Sequence, residues 1–336
     1  MEITTEQRKE LIMSERPNLK ENSVKQYMSH LNKLTKLFDS PDNYEFLKEP
    51  DSVMDKIKDT HYTSQRNTLN AVIVLLMALN SEKEYDSLLK TYGKMRDGFN
   101  LTYEKEQESG KISDKQKDNF VELVEIDKML LEMEFEIKKE KLKKKKILTG
   151  KEKELMMVYT IFSFLKRIPT RNDMAGQKYI RYSTYRYLTE EDKNNTNFLV
   201  KNNNFLVKKK EGMFGVYNEY KTASKYGEKI IDIPKDLERI LNMYIKATDK
   251  KFGDVLFVNS VGTPLNRNQI SQLLLKTSQK YLGKNISTTL MRKIVASHHY
   301  NNKKFIEMKE EQKQLAYNMG HSVSVQDKVY IKSNEE

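Results

Sequence analysis

The chain has no cysteine. Disulfides and thiolate metal sites are therefore excluded, which suits the reducing interior of a cell. Long apolar runs are missing too. None approaches the roughly 18 residues of a membrane span, and the most hydrophobic stretch, AVIVLLMAL from Ala71 to Leu79, sits between polar helix sequence. The opening MEITTEQRKE lacks the apolar core of a secretory signal, so an intracellular protein is expected. Arginine is sparse, at 11 of the 60 basic residues against 49 lysines.

Positive charge is what the chain does have. Its 336 residues carry a formal net charge of +12. That points to a polyanionic partner such as nucleic acid, with a solvated lysine-rich surface as the bland alternative. The length allows two domains, each with its own core.

Helical periodicity fills the first hundred residues. Asn22–Ser23 is a candidate N-cap for a helix carrying Val24, Tyr27, Leu31, Leu34 and Phe38, and Ser40-Pro41-Asp42 ends it. Ser52 is a candidate cap for a short second helix. A third is expected from about Ser64 through Leu79, and a fourth from Tyr85 to Met95. From Arg96 to Asp118 the sequence is polar, contains two glycines and reads as a linker. The chain thus divides into a helical domain (1–100), a linker (101–118) and a second domain (119–336).

Beyond the linker, Leu123, Ile126, Leu130, Met133 and Ile137 mark an amphipathic helix that runs into KKEKLKKKKI. Lys143, Lys144 and Lys145 of this run are candidate phosphate contacts, or part of a nuclear import signal; a merely solvated face is the competing reading. Thr149 and Glu152 have the spacing of a capping box for an apolar helix from Leu155 to Leu165. The period then changes. Residues 197–201, 204–210, 213–220 and 228–234 read as short strands, and VLFVN (255–259) as a brief extended piece. Helical spacing returns from Leu237, and helices are expected over 268–282, 289–301 and 309–318. The fold class is therefore mainly α, with one small antiparallel sheet inserted in the second domain.

Five residues of that domain have types that could act together. Arg171 follows an apolar helix in KRIPTRNDMAG. Lys221 stands in EYKTASKYGEK, at the expected tip of the hairpin joining the last two strands. Arg292, in STTLMRKIVAS, is placed in the first turn of a helix. His321 and Tyr330 belong to GHSVSVQDKVY. The pattern resembles the tyrosine recombinase (phage integrase-like) family, whose motifs Arg171, Lys221-Thr222, Arg292, Gly320-His321 and Tyr330 match in order. Each motif alone is weak; the ordered set is specific. The likeness reaches forward as well. NSVKQYMSHLNKL and SQRNTLNAV resemble the family's core-binding domain. QKDNFVELVEIDKML resembles the start of the catalytic domain in integrases of large viruses and mobile elements of eukaryotes.

The resemblance implies a site-specific recombinase that cuts and rejoins double-stranded DNA without metal, ATP or any other cofactor. Arg171 and Arg292 would hold the phosphate oxygens, since a guanidinium is always charged and forks onto phosphate. Tyr330 would attack to give a 3′-phosphotyrosine. Lys221 would protonate the departing 5′-oxygen, and His321 would hydrogen-bond a phosphate oxygen. The two domains would clamp the duplex, and four protomers would assemble on DNA. If the protein is virus-encoded, the host nucleus or a viral factory is the expected location.

The pattern also departs from the family. Thr289 stands where most members have histidine, three residues before the second arginine, and cannot serve as a base near neutral pH. Met174 stands at the usual acidic position, so Asp173 is the candidate to support the arginines from behind. Three other readings stay open. They are a type IB topoisomerase, a DNA-binding relative that has lost turnover, and a helical scaffold built on the lysine run.

Overall fold

The computed structural model describes residues 2–108, 112–194, 200–300 and 303–319, together with Val323. The chain separates into two compact units, divided between Ile112 and Ser113.

The first unit is helical: α1 (Thr5–Glu15), α2 (Glu21–Leu37), α3 (Pro50–Ile57), α4 (Tyr62–Leu79) and α5 (Asp86–Glu108). The apolar α4 forms its centre, with Leu69, Ala71, Val72, Leu75 and Leu76 fully buried against α1, α2 and α5. Several starts differ from expectation. α2 begins at Glu21, so Asn22–Ser23 lies inside it. α3 begins on Pro50, whose fixed φ suits a first helical position, which places Ser52 inside the helix. α1 was not anticipated. α5 runs on past Met95 to Glu108, so the front of the expected linker is helix. Contacts with α4 explain the extension. The Arg66 guanidinium lies 4.5 Å from the Tyr103 ring centre, and the Tyr62 hydroxyl donates to Glu106.

The second unit is built around α8 (Gly150–Arg167), in which every residue from Met156 to Leu165 is buried. Its capping box is present as expected: Thr149 Oγ1 accepts from the Glu152 amide, and Glu152 accepts from the Thr149 amide. α6 (Asp114–Lys117) and α7 (Leu123–Lys139) precede α8. Between α7 and α8, buried Leu142 anchors a short 3₁₀ turn that leaves Lys143 and Lys144 in solvent, while Lys145 pairs with Glu152.

After α8 come β1 (Lys178–Arg181), α9 (Tyr182–Asn194), β2 (Phe205–Lys209), β3 (Gly212–Tyr217), α10 (Ala223–Tyr226) and β4 (Lys229–Asp232). α11 (Lys235–Ala247), α12 (Arg267–Leu282), α13 (Thr288–Tyr300) and α14 (Lys303–Asn318) complete the unit. The strands form one sheet in the order β1-β2-β3-β4. The expectation of an antiparallel sheet is corrected by β1, which pairs in parallel with β2 from Lys178↔Phe205 to Arg181↔Lys208. β2–β3 and β3–β4 are antiparallel. A parallel pair needs a crossover, and α9 lies within the chain between its two strands.

All six residues of β3 are buried because both sheet faces are covered. Met213 and Tyr217 join the main core with α8 and α11, while Phe214 and Val216 pack in a smaller cluster with Ile180, Tyr185, Phe205 and Val207. Gly215 is required by close packing, since a Cβ there would lie 2.8 Å from the Tyr217 ring. Of the strand expected over 197–201, residues 197–199 lie outside the described residues, and Val200 and Lys201 sit in a turn. The VLFVN segment contributes only the isolated bridges Lys178↔Val255 and Val258↔Pro264. Among the described residues, no helix is long and apolar enough to cross a membrane.

Candidate active site

α8 stops at Ile168 and Pro169, and the chain passes through Thr170 and Arg171 into a buried 3₁₀ turn, Asn172–Met174. Side-chain amides fix this segment from two directions. Asn172 Nδ2 donates to the Arg267 carbonyl and to Ser271 Oγ, both at 2.7 Å, and Asn172 Oδ1 accepts from the Thr288 hydroxyl. Asn204, just before β2, donates through Nδ2 to the Asp173 carbonyl at 2.7 Å and to the Glu219 carbonyl at 3.0 Å. Its Oδ1 accepts from the amides of Asn218 and Glu219, both at 2.8 Å. Asn204 therefore ties the Arg171 segment to the start of the β3–β4 connection.

Arg292 reaches the same segment from α13. It is the fifth residue of the helix, one residue further in than expected, and its Nε donates to the Pro169 carbonyl at 3.1 Å. Arg171 and Arg292 together line a cleft of about 510 Å³. Neither guanidinium has an ion pair among the described residues. The β3–β4 connection and the start of β4 also line it, with Thr222, Tyr226, Glu228 and Lys229. Thr170 also lines the cleft, and its buried Oγ1 has no hydrogen-bond partner.

Asp173 also lines the cleft, with Arg267 at 3.7 Å. Burial pushes its carboxyl above the usual range, outweighing the opposing pull of Arg267, Arg171, Lys229 and Arg292. The buried acid of the cleft thus has a third arginine, Arg267, beside it, and with Arg171, Arg292 and Lys229 against Asp173 and Glu228 the lining keeps an excess of positive charge.

The structure brings together three of the residues singled out in the sequence: Arg171, Arg292 and Asp173. Lys221 is exposed in a turn and is not part of the cleft wall, although the next residue, Thr222, is. Thr289 is exposed and also absent from the wall. Its neighbour Thr288 is the buried one, bonded to Asn172. Lys143, Lys144 and Lys145 stand apart from the cleft lining. His321 and Tyr330 lie outside the described residues. Sequence reasoning missed Asn172, Asn204, Arg267 and Lys229. Asn172 directly follows Arg171, a placement that could have flagged it; Asn204 reads only as the first residue of the strand expected over 204–210. Among the described residues, no group of three acidic or histidine side chains could hold a metal ion.

No family model matches the chain, and no curated protein does. Among solved structures, the chain is similar to XerA recombinase. The alignment covers 98% of this chain and 94% of that one, at 15% identity with a TM-score of 0.33. So low a score carries no argument about this chain's activity.

Proposed function

We propose that this chain is a site-specific DNA recombinase that cuts and rejoins the duplex through a 3′-phosphotyrosine. One observation carries the reading: Arg171 and Arg292, from distant parts of the sequence, open unpaired into one cleft. A phosphodiester passing through its transition state gathers negative charge on the non-bridging oxygens. Two fixed guanidinium forks compensate that charge without reorganising. Tyr330 attacks phosphorus, and the phosphotyrosine conserves the bond energy, so the strand is resealed by the reverse reaction without ATP. His321 hydrogen-bonds a phosphate oxygen, and Asp173 with Arg267 braces the Arg171 segment from behind. An ammonium from the β3–β4 region protonates the departing 5′-oxygen. The partner is double-stranded DNA, held mainly through phosphates, with four protomers assembling on two sites. Integration or excision of a mobile or viral genome is the corresponding role.

The test is covalent trapping on nicked suicide duplexes. Wild type should form a protease-sensitive protein–DNA adduct, and Tyr330→Phe none. Arg171→Ala and Arg292→Ala should each slow trapping by about 10²–10³-fold, the usual cost of removing a transition-state donor. Intact DNA binding with no adduct from wild type would mark a binding protein. Relaxation of supercoiled plasmid by the monomer, without site preference, would mark a topoisomerase.

A further inference from the structure

We propose that the proton given to the departing 5′-oxygen comes from Lys229, at the start of β4, and not from Lys221. The inference rests on the strand-cleavage reading above and names the acid within it.

Three observations separate the two lysines. The first is position. Lys229 lines the cleft with Arg171 and Arg292, whereas Lys221, between the lining residues Tyr220 and Thr222, is exposed in the turn before α10 and is not itself in the wall. The influence of Lys229 on the buried Asp173 carboxyl, alongside that of Arg171 and Arg292, places its charge within the same local field.

The second is rigidity. Lys229 is the first residue of β4 and sits directly opposite Tyr217 of β3, a fully buried residue of the main core. Its backbone is therefore fixed by the sheet, and the ammonium has only its own rotamers to search. Strand-borne groups hold reacting geometry better than turn-borne ones.

The third is availability. Lys229 has no ion pair among the described residues. The adjacent carboxylate, Glu228, accepts from the Tyr185 hydroxyl at 3.3 Å, and Asp173 faces Arg267. Arg171 and Arg292 supply charge, but a guanidinium is not a proton donor in proteins. Within the cleft, Lys229 joins positive charge to a transferable proton.

The step balances without a further reactant. The Tyr330 oxygen bonds to phosphorus, and its phenol proton passes to water. The P–O5′ bond breaks, its electron pair stays on the 5′-oxygen, and that oxygen takes a proton from the Lys229 ammonium. Lys229 is left as a neutral amine that recovers the proton from the 5′-hydroxyl during resealing.

A sulfur at the bridging 5′ position distinguishes this role from a structural one, because a thiolate departs without being protonated. Nicked duplexes of randomised sequence are offered to the wild-type full chain. Covalently trapped members are recovered, and one is resynthesised with either a 5′-oxygen or a 5′-sulfur at the cleaved bond. Lys229→Ala and the charge-conserving Lys229→Arg should lose about 10²–10⁴-fold in trapping rate on the oxygen substrate, the usual contribution of a general acid. Both should return to within about tenfold of wild type on the sulfur substrate, while Lys221→Ala stays close to wild type on both. Lys229 variants that cleave the oxygen substrate as wild type does would overturn the assignment. So would an equal defect on both substrates, or sulfur rescue confined to Lys221→Ala. Failure of wild type to cleave any member of the pool would instead overturn the strand-cleavage reading itself.

Discussion

Asn204→Ala tests whether the cleft is braced from inside the fold. Asn204 is 6% exposed and makes four side-chain hydrogen bonds, two as donor and two as acceptor. The bond to the Asp173 carbonyl is buried, and losing it strands an acceptor that water does not easily reach, at a cost of about 2 kcal/mol. The other three are only part-buried, and Glu219 is exposed enough for water to replace the amide in part. They contribute about 0.5 kcal/mol each. The sum is about 3–4 kcal/mol, a large share of the stability of an ordinary domain.

Urea unfolding followed by far-UV circular dichroism reads this loss. With a slope of about 3 kcal/mol/M, the midpoint of the transition involving the sheet should fall by about 1 M. Asn204→Asp sharpens the test. It keeps the shape but turns two donated bonds into an oxygen facing two carbonyls, which raises the folded pKa of the new carboxyl. Its deficit should therefore grow as pH rises from the ordinary carboxylate value, about 3.9, towards the raised one and shrink in acid, where the protonated group donates once more. A midpoint shift below about 0.3 M for Asn204→Ala would refute the bracing role.

Four further outcomes follow from the same geometry. Gly215→Ala drives a methyl against the buried Tyr217 ring, 2.8 Å from the new Cβ; a loss of about 1–3 kcal/mol is expected in thermal or urea unfolding. Thr170→Val removes a buried hydroxyl that has no partner, so stability should hold within about 1 kcal/mol while covalent trapping slows, if that hydroxyl meets the phosphate. Because burial raises the folded pKa of Asp173, its ionisation costs stability. The cost is absent below the ordinary carboxylate value near about 3.9 and complete above the raised one, so urea midpoints should shift in favour of Asp173→Asn as pH rises through that window. Lys143→Ala and Lys144→Ala, both at exposed positions, should each reduce the salt slope of DNA affinity by about 1 in filter-binding titrations if they contact phosphates; Lys145→Ala should instead loosen the start of α8, since that ammonium pairs with Glu152.

Local patterns made much of the fold readable. α7, α11 and α12 show their buried faces in sequence spacing, and the Thr149–Glu152 box marks the start of α8. Elements held by distant partners did not. α1 buries an arginine: Arg8 is 1% exposed, donates to Thr5 and Asn32 and lies over the Tyr44 ring, so its inward face looks polar. β1 is four residues long and finds its partner only after the whole of α9. The last turns of α5 depend on Arg66 and Tyr62 of another helix. In the site, the two arginines were legible because chemistry restricts the residue type that can serve there. Asn172 and Asn204 were not, because a small amide becomes a brace only once the fold has brought carbonyls to both of its ends.

That difference bears on why the cleft keeps its charge. Two guanidinium groups in one hollow repel each other, and a fold selected for stability alone would set a carboxylate between them. Here the buried acid of the cleft, Asp173, has Arg267 at 3.7 Å, and among the described residues Arg292 gives only its Nε to the protein. Both terminal nitrogens of Arg292, and the whole fork of Arg171, stay without an ion pair among the described residues. The amides of Asn172 and Asn204 hold the backbone against the resulting repulsion, and being neutral they do so without discharging the site. An anion that presents several oxygens, such as a phosphodiester, is the ligand such an arrangement stabilises most, because it satisfies both forks at once. The same bracing makes the cleft costly in an empty protein, so binding of the anion should raise the stability of the second unit more than that of the first.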